Sequence, residues 1–457
     1  MTANDIAHTR TAAAASTGTF FGEPRALAYL AFTEAWERFS YYGMTALLTL
    51  YLAQSLLLPG HVEHIAGFAG FRAGLEGLFG PMTPTALASQ IFGLYSGFIY
   101  FTPVFGGLIA DRWLGHRRAV MLGAVLMSAG HIAMAFDRSF LLAIALLIVG
   151  CGLLKGNISA QVGELYAEDD ASGRTRGFTI FSIGINVGAV AGPLLCGLLA
   201  ELYGWHAGFG LAGLLMLIGL ATYLAGYRQY APDRPAADKP GTRTALSAKE
   251  WRVVAALAIV GIITVFQTIA YYQNTNINLI WIDQAVDLDI LGFHLPVAWF
   301  NSIDPLVSIV AVPPLLALWR WQSRQRRGEP DDIAKIGVGA WIAAAANLLL
   351  VLACLAGGRV PAIAPIVYDV LLGIAFLYYW PTFLSFVSQT APPQVKAAMM
   401  GAAFLSMFLG NFMVGWLGQF YESMSPAAFW GMHAAIAATG GILAFLLGRP
   451  IRALLAS

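Results

Sequence analysis

Residues 32–43 read Phe-Thr-Glu-Ala-Trp-Glu-Arg-Phe-Ser-Tyr-Tyr-Gly and place three charged side chains near the start of an otherwise apolar stretch. Glu34 precedes Glu37 by three residues and Arg38 by four, so a helix brings the three side chains to one face, where they can pair. Charges at membrane depth usually face a bundle interior or a water-filled cavity and mark an ion or substrate path. The alternative is a structural ion pair that ties this helix to a neighbour. We favour the first interpretation, which predicts a transporter.

The composition indicates an integral membrane protein. Hydrophobic residues make up 58% of the 457 residues and charged residues only 11%, too few for the solvated surface of a soluble domain. A formal net charge of +1 gives no reason to expect a nucleic-acid partner. The cysteines, Cys151, Cys196 and Cys354, lie in apolar stretches and indicate neither a disulfide framework nor a metal site. No pattern predicts an enzyme, since neither a nucleophile with its base nor a metal-ligand constellation is present.

Apolar stretches about as long as a helix needs to cross a bilayer, roughly twenty residues, recur twelve times along the chain. They predict an all-α membrane protein with spans at 27–56, 86–111, 117–136, 139–166, 174–201, 206–227, 250–283, 295–320, 333–357, 361–390, 394–421 and 426–448.

The charged segment 228–249 separates six predicted spans from six. We interpret it as a cytoplasmic linker between an N-terminal six-helix bundle, residues 1–227, and a C-terminal six-helix bundle, residues 250–457. Lys and Arg concentrate on the loops that share a side with this linker, which predicts that both termini are cytoplasmic. Residues 57–85 are predicted to form a long, Gly-rich outer loop, and we expect no cleavable signal in residues 1–24.

The loop between the second and third spans reads Gly107-Leu-Ile-Ala-Asp111-Arg112-Trp-Leu-Gly115-His-Arg117-Arg118. It resembles the G-x-x-x-D-R-x-x-G-x-R-R signature of the major facilitator superfamily, where this loop holds one arrangement of helices through charge contacts and releases it during transport. A tight turn at Gly115 with ordinary positive-inside topology explains the arginines but not Asp111. The resemblance implies two six-helix bundles that rock around a central site.

Within that superfamily the chain resembles the proton-dependent oligopeptide transporter (POT) family, whose E-x-x-E-R motif is present as Glu34, Glu37 and Arg38. The further similarities are Gly152-Leu-Leu-Lys155-Gly156-Asn157 to G-x-x-K-P-N, Phe181-Ser182-Ile-Gly-Ile185-Asn186-Val-Gly188 to F-Y-x-x-I-N-x-G, Ser302-Ile-Asp304-Pro305 to S-x-N-P, and Met400-Gly401 with Gly410-Asn411 to the family's M-G and G-N elements.

The resemblance implies proton-coupled import, in which Glu34, Glu37, Arg38 and Lys155 exchange pairing partners as protons and substrate bind. Protons are then the coupling ion, and we expect no other cofactor. An unpaired lysine inside a membrane costs several kcal/mol, so we predict that Lys155 pairs with Glu34 or Glu37. Snorkelling of its ammonium to the membrane surface is the alternative.

The chain departs from the family pattern at a few positions. Thr45 stands where the family commonly has an arginine, and Tyr272 stands where its seventh span has the acidic partner. Replacing both members of a buried pair avoids the cost of about 3–5 kcal/mol that a stranded charge would carry. Phe376 replaces the glutamate that in the family receives the peptide amino group. Trp380 and Ala403 differ as well, which indicates either a volume exchange across the pocket or lipid-facing variation.

Two aspartates are candidates to replace the missing acids. Asp304 occupies the place of the family's substrate-facing asparagine and can bind a substrate amine or carry a proton. The alternative is a protonated residue that mimics asparagine. Asp369 precedes Phe376 by seven residues, nearly two helical turns, so both fall on one face of a helix.

The seventh predicted span is rich in amides, which must face water, substrate or another helix because unsatisfied amides are costly in hydrocarbon. Tyr271, Asn274 and Asn278 fall on one stripe of the predicted helix. Gln273, Asn274 and Asn278 are our candidates for substrate contact there, and inter-helix hydrogen bonding is the alternative. The other predicted substrate contacts are Tyr41, Tyr42, Tyr100, Asn186, Asp304 and Trp380.

We therefore expect a symporter for di- or tripeptides or closely related compounds. The first alternative is import of a non-peptide solute, such as an amino-acid derivative or a carboxylate, because Phe376 replaces the family's glutamate. The second is a sensor that binds ligand without moving it. We expect a monomer in the inner membrane whose partners are a small-molecule substrate and the lipid bilayer.

Overall fold

The computed structural model describes residues 19–167, 169–233, 246–290, 292–326 and 328–456. In these residues the α-helices, in chain order, are α1 (Arg25–Tyr51), α2 (Phe68–Phe79), α3 (Pro84–Ile109), α4 (His116–Ala133), α5 (Phe140–Glu164), α6 (Ala171–Tyr203), α7 (Trp205–Gly226), α8 (Ala248–Tyr272), α9 (Ile277–Ala285), α10 (Ile303–Val310), α11 (Val312–Ser323), α12 (Asp332–Leu355), α13 (Ile363–Thr390), α14 (Lys396–Gly418) and α15 (Pro426–Ala456). Two-residue strands pair as Thr19–Phe20 with Glu23–Pro24, Val286–Asp287 with Val360–Pro361, and Asp289–Ile290 with Phe293–His294.

The predicted all-α membrane architecture is confirmed, whereas the number of spans stays a prediction. Within the described residues, nine helices are long and apolar enough to cross a membrane, and α10 with α11 adds a tenth if this pair, bent by 43°, is one span. Two further long helices fall outside that group. One is α1, which carries four charged residues, and the other is α4, which begins with His116, Arg117 and Arg118.

Two predicted spans are interrupted. The span predicted at 250–283 is α8, a 3₁₀ turn over Gln273–Thr275, and α9, because Asn276 has φ −117° and ψ −107° and leaves the helical region. The span predicted at 295–320 begins with a 3₁₀ turn and changes direction at Ala311, just before two prolines at the start of α11. Proline has no N–H to donate, so the break lies where the sequence cannot continue a regular helix.

The segment 57–85, predicted as a loop, contains the helix α2, so that prediction is wrong in this detail. Arg72 and Glu76 pair one turn apart at 2.9 Å, and Glu76 also accepts the backbone N–H of Met82 at 3.1 Å. The glycines scattered through this segment lower its helix propensity, which explains why the pattern did not reveal α2.

We call the end of the molecule where α7 finishes and α8 begins the linker end, and the opposite end, which carries α2, the far end. Predictions that concern residues 1–18 and 234–245, including part of the 228–249 linker and the start of the chain, lie outside the described residues. The division into bundles at 1–227 and 250–457 stays a prediction.

Helices pack closely both within and between the two parts of the chain. α1 lies against α6 and α7, α4 lies against α5, and α12 lies against α13 and α15, while α3 crosses to α14. The α3 and α14 contact depends on small residues: a Cβ added at Gly93 would meet the backbone of Gly415 and Asn411. Glycine at both positions therefore lets two backbones approach as side chains would not allow.

Valine at Gly93 is expected to force α3 and α14 apart and to lower the melting temperature, because overpacking a close contact costs about 1–3 kcal/mol. The control is Gly210→Val on α7, where an added Cβ meets nothing within 4 Å. Thermal unfolding of both purified variants measures the effect, and an equal loss in both would contradict this account of the contact.

Candidate functional site

The three charges of residues 32–43 form a buried cluster on α1. The guanidinium of Arg38 donates to Glu37 Oε2, and its Nε lies 3.1 Å from Glu34 Oε1. All three residues are buried, with relative exposures of 0–3%. Helix α6 packs directly against this turn because Gly188 has no side chain, and a Cβ there would meet Arg38 and the backbone of α1. The cluster is therefore enclosed by protein.

Charge does not balance within this cluster. Two carboxylates face one guanidinium, so the fully ionised group carries one excess negative charge. Glu34 Oε2, Glu37 Oε1 and Arg38 Nη2 have no hydrogen-bond partner among the described residues. A buried net charge is unfavourable unless it is compensated. One proton or one nearby cation neutralises the group, so the arrangement can exchange one for the other.

Lys155 does not form the predicted ion pair in this conformation. Among the described residues its ammonium makes no ion pair with Glu34 or Glu37, and it lies instead 4.4 Å from the centroid of the Tyr100 ring. Lys155 is half-buried, and an ammonium over an aromatic face gains about 0.5–2 kcal/mol depending on how far it is desolvated, which partly offsets the missing carboxylate. Sequence analysis missed this contact because Lys155 and Tyr100 lie on different helices.

A central cavity of about 380 Å³ lies between the two parts of the chain. Its size is within the range of small-molecule sites. The predicted substrate residues that line it are Tyr41, Tyr42, Tyr100, Asn186, Asn274 and Asp304. Sequence analysis did not predict Ser96, Asn301 and Ser308, which also line it. Single polar residues in apolar helices gave no distinctive pattern for these three.

Three predicted substrate residues lie outside the cavity lining. Gln273 is buried and donates to the carbonyl of Val414 at 3.1 Å, and Asn278 is buried in α9. The predicted stripe of Tyr271, Asn274 and Asn278 assumed a continuous helix, but the 3₁₀ turn breaks that periodicity.

Trp380 packs against Phe404, with ring centroids 5.7 Å apart, and does not line the cavity. Trp380 therefore does not face the cavity, whereas the volume exchange between Trp380 and Ala403 stays a prediction.

One carboxylate oxygen of Asp304 accepts a hydrogen bond, and the other has no partner among the described residues. The hydroxyl of Tyr271 donates to its Oδ2, while Oδ1 is buried without a hydrogen-bond partner among the described residues. Phe376, at the position of the missing glutamate, lines the cavity and stacks on Tyr271 with centroids 5.0 Å apart. Asp369 is buried on α13 behind the lining. Phe376 and Tyr271 therefore position Asp304, the acid among the described residues that line the cavity.

Neutral hydrogen bonds are present at the two positions where the family has a charged pair. The hydroxyls of Tyr100 and Tyr272 lie 2.7 Å apart and join α3 to α8. Thr45 donates to the carbonyl of Tyr41 at 2.7 Å, within α1. These two positions therefore strand no charge, and the contact here between the two parts of the chain is a tyrosine pair.

Hydrogen bonds close the cavity at the far end. Trp299 Nε1 donates to the carbonyl of Leu194 at 2.9 Å, and Ser302 donates to that of Val190 at 2.8 Å. Closer to the surface, Gln54 donates to Asp283 at 2.8 Å. These bonds join the two parts of the chain where α6 and α9 reach the far end.

A groove on α6 leads from the cavity toward the linker end. The cavity is lined on this helix by Ile185, Asn186 and Ala189, and the groove by Arg174, Thr175, Phe178, Thr179 and Ser182. Positions three or four residues apart share a helix face, so both sets form one continuous stripe. The structure is therefore closed at the far end and open along α6 toward the linker end.

The predicted loop signature begins with Gly107 near the end of α3 and turns at Gly115, which has φ +77°. Asp111 forms no ion pair with the described arginines of the signature. It accepts from His116 Nε2 at 3.1 Å, and His116 Nδ1 lies 2.7 Å from Glu164 Oε1 at the end of α5. His116 thus bridges two carboxylates, a role that the signature did not indicate because its x positions are unrestricted.

The arginines of the signature contact the start of the linker. Asp233 accepts the backbone N–H of Arg117 at 2.8 Å and lies 3.6 Å from Arg118 Nε. The guanidinium of Arg117 lies 3.8 Å from the centroid of Tyr227. Arg112 is exposed. The signature therefore holds the described beginning of the linker against α4.

The model of the POT family matches residues 117–248 and 242–430. The chain belongs to the POT family. It is 28% identical to a peptide transporter of Yersinia enterocolitica over 96% of each chain, and 27% identical to a di-/tripeptide transporter of Lactococcus lactis over 95% of this chain and 97% of the relative.

The crystal structure of a POT peptide transporter in complex with sulfate has a similar fold, with a TM-score of 0.83 and 28% identity over 98% of this chain and 99% of that chain. The resemblance to the POT family and the fold of the major facilitator superfamily are thereby confirmed.

Asparagine at His116 is expected to flatten the pH dependence of stability. The hydrogen bond to Glu164 raises the pKa of His116 above its usual value, with a smaller contribution from Asp111. The stability from this bridge is therefore complete below the unfolded pKa of about 6.5 and is lost as pH rises through the raised folded pKa.

Melting temperatures from about pH 6 to about pH 9 measure this effect. The native chain should lose more stability over this range than His116→Asn, while His64→Asn, at an exposed histidine, should behave like the native chain. Parallel curves for the native chain and His116→Asn would contradict the assignment.

Proposed function

We propose that the chain is a proton-coupled symporter that imports di- or tripeptides, or closely related peptide-like compounds, by alternating access. The observation that carries this proposal is the buried cluster of Glu34, Glu37 and Arg38, which lacks one positive charge and lies one turn from the tyrosines of the cavity. Membership of the POT family and the named activities of its relatives support it. The coupling ion is the proton, and we propose no other cofactor.

Coupling follows from the position of the cluster. The guanidinium of Arg38 lies 5.3 Å from the centroid of Tyr41, whose ring is in edge contact with Tyr42. Both tyrosines line the cavity. A proton on Glu34 or Glu37 weakens that residue's hold on Arg38, so the guanidinium can shift against Tyr41. Protonation thereby changes the wall that substrate touches, and substrate that contacts the wall changes the affinity for the proton.

Alternating access requires the contacts at the far end to open. Ser302 and Trp299 bind backbone carbonyls of α6, and Tyr100 binds Tyr272, so these few neutral hydrogen bonds hold the closed side. Neutral bonds of this kind contribute about 1 kcal/mol each, which permits reversible opening. The loop Gly107–Arg118 acts at the opposite end. Lys155, whose ammonium lies over Tyr100, is the further proton-coupling candidate.

The second candidate function is proton-coupled import of a non-peptide solute. Phe376 favours it, because it lines the cavity where the family's glutamate would receive a peptide amino group. A sensor that does not transport is the third, and accumulation of solute against a gradient would exclude it.

The chain is an integral membrane protein with several apolar helices. We propose that it lies in the inner membrane with both termini in the cytoplasm, that it functions as a monomer, and that substrate enters from the far end and leaves at the linker end.

Glutamine at Glu37 is expected to abolish uptake driven by a proton gradient and to retain counterflow exchange, because the variant can no longer bind and release the coupling proton. Proteoliposomes with an inward proton gradient measure the first activity, and vesicles preloaded with substrate measure the second. Glu201→Gln, at an exposed glutamate of α6, is the matched control and should retain both. If Glu37→Gln also loses exchange, its defect lies in folding or binding, and the proposed coupling role is contradicted.

A further inference from the structure

The described lining of the cavity carries a negative charge and no positive charge. Among the described residues that line it, Asp304 is the acid, and none is lysine, arginine or histidine. Opposite charges attract strongly in a cavity of low dielectric constant, and like charges repel there. The lining as a whole therefore favours a ligand that carries positive charge.

The basic side chains of α1 and α5 are engaged elsewhere. Arg38 is shared by Glu34 and Glu37, and its guanidinium contacts the ring of Tyr41 without lining the cavity itself. The ammonium of Lys155 lies over Tyr100 and does not line the cavity. The described lining of the cavity therefore presents no basic side chain to a ligand carboxylate.

Asp304 presents a ready acceptor. Its Oδ2 is occupied by Tyr271, and its Oδ1 is buried without a partner among the described residues. An unsatisfied buried acceptor of this kind costs about 1–3 kcal/mol, and more when it is charged. A ligand ammonium would supply both the missing donor and the missing charge.

The remaining polar groups of the lining suit an uncharged amide. Asn274 Oδ1 is an acceptor and Asn301 Nδ2 a donor, and neither has a hydrogen-bond partner among the described residues. Both residues line the cavity. A carboxamide offers one acceptor and two donors, so it can satisfy both. A carboxylate offers only acceptors and would add a second negative charge beside Asp304.

We infer that the cavity selects substrates that carry a primary ammonium and an uncharged amide, in preference to zwitterions with a free carboxylate. Asp304 receives the ammonium, and Asn274 with Asn301 binds the amide. This inference rests on the proposed function, since it narrows the substrate class of the same cavity.

The test compares three forms of one dipeptide, phenylalanyl-alanine: the free acid, the C-terminal amide, and the N-acetylated amide. Binding to the full-length protein in lipid nanodiscs is measured near neutral pH by calorimetry, without a proton gradient. We expect the amide to bind at least tenfold more tightly than the free acid, and the N-acetylated amide to bind at least tenfold more weakly than the amide. Tenfold corresponds to about 1.4 kcal/mol.

Equal or tighter binding of the free acid would overturn the inference and would indicate that a cation, with Lys155 the first candidate, recognises the carboxylate. If none of the three ligands binds, the proposed peptide-like substrate is itself wrong. Because binding is measured without a gradient, loss of proton coupling alone would leave this result unchanged.

The variant Asp304→Asn tests the assigned residue. It should lower affinity for the amide about tenfold and leave the N-acetylated amide unchanged. Asp289→Asn, at an exposed aspartate outside the cavity lining, is the matched control and should bind all three ligands as the native chain does. If Asp304→Asn still binds the amide at least tenfold more tightly than the N-acetylated amide, the role of Asp304 is overturned. If that variant does not fold, the three ligands on the native chain still decide the inference.

Discussion

Inside α1, Glu34 and Glu37 share the single guanidinium of Arg38, and the resulting excess of negative charge constrains the helices around it. The cluster is buried, so it requires a compensating positive charge that bulk solvent does not provide. It also requires close packing by α6, which Gly188 permits. A cluster that is stable only when its charge is balanced is well suited to bind and release a proton as neighbouring side chains move.

Unlike the ionic cluster, the walls of the cavity are joined by contacts between uncharged side chains. Tyr100 and Tyr272 link α3 and α8 through their hydroxyls, and Phe376 stacks on the tyrosine that holds Asp304. Among the described residues that line the cavity, Asp304 on α10 supplies the negative charge, and Phe376 on α13 supplies an aromatic face.

Local patterns allowed much of this architecture to be predicted. The spacing of Glu34, Glu37 and Arg38 depends only on helical periodicity, and the polar positions in α6 and α10 were apparent from short motifs. Contacts between distant helices were not predictable: Lys155 lies over Tyr100 instead of beside a carboxylate, and Trp380 packs on Phe404. The stripe through Asn278 failed because a 3₁₀ turn interrupts the helix, and periodicity assumes that no such break occurs.

The central claim is that substrate and protons move together through this cavity. Proteoliposomes that contain the protein and a trapped pH-sensitive dye, with equal pH on both sides and the membrane potential clamped at zero, test it most directly. A mixture of dipeptides and dipeptide amides is added outside, and entry is followed by mass spectrometry. The account predicts that the lumen acidifies in proportion to the solute that enters. Entry of the same solutes without any change in lumenal pH would contradict it.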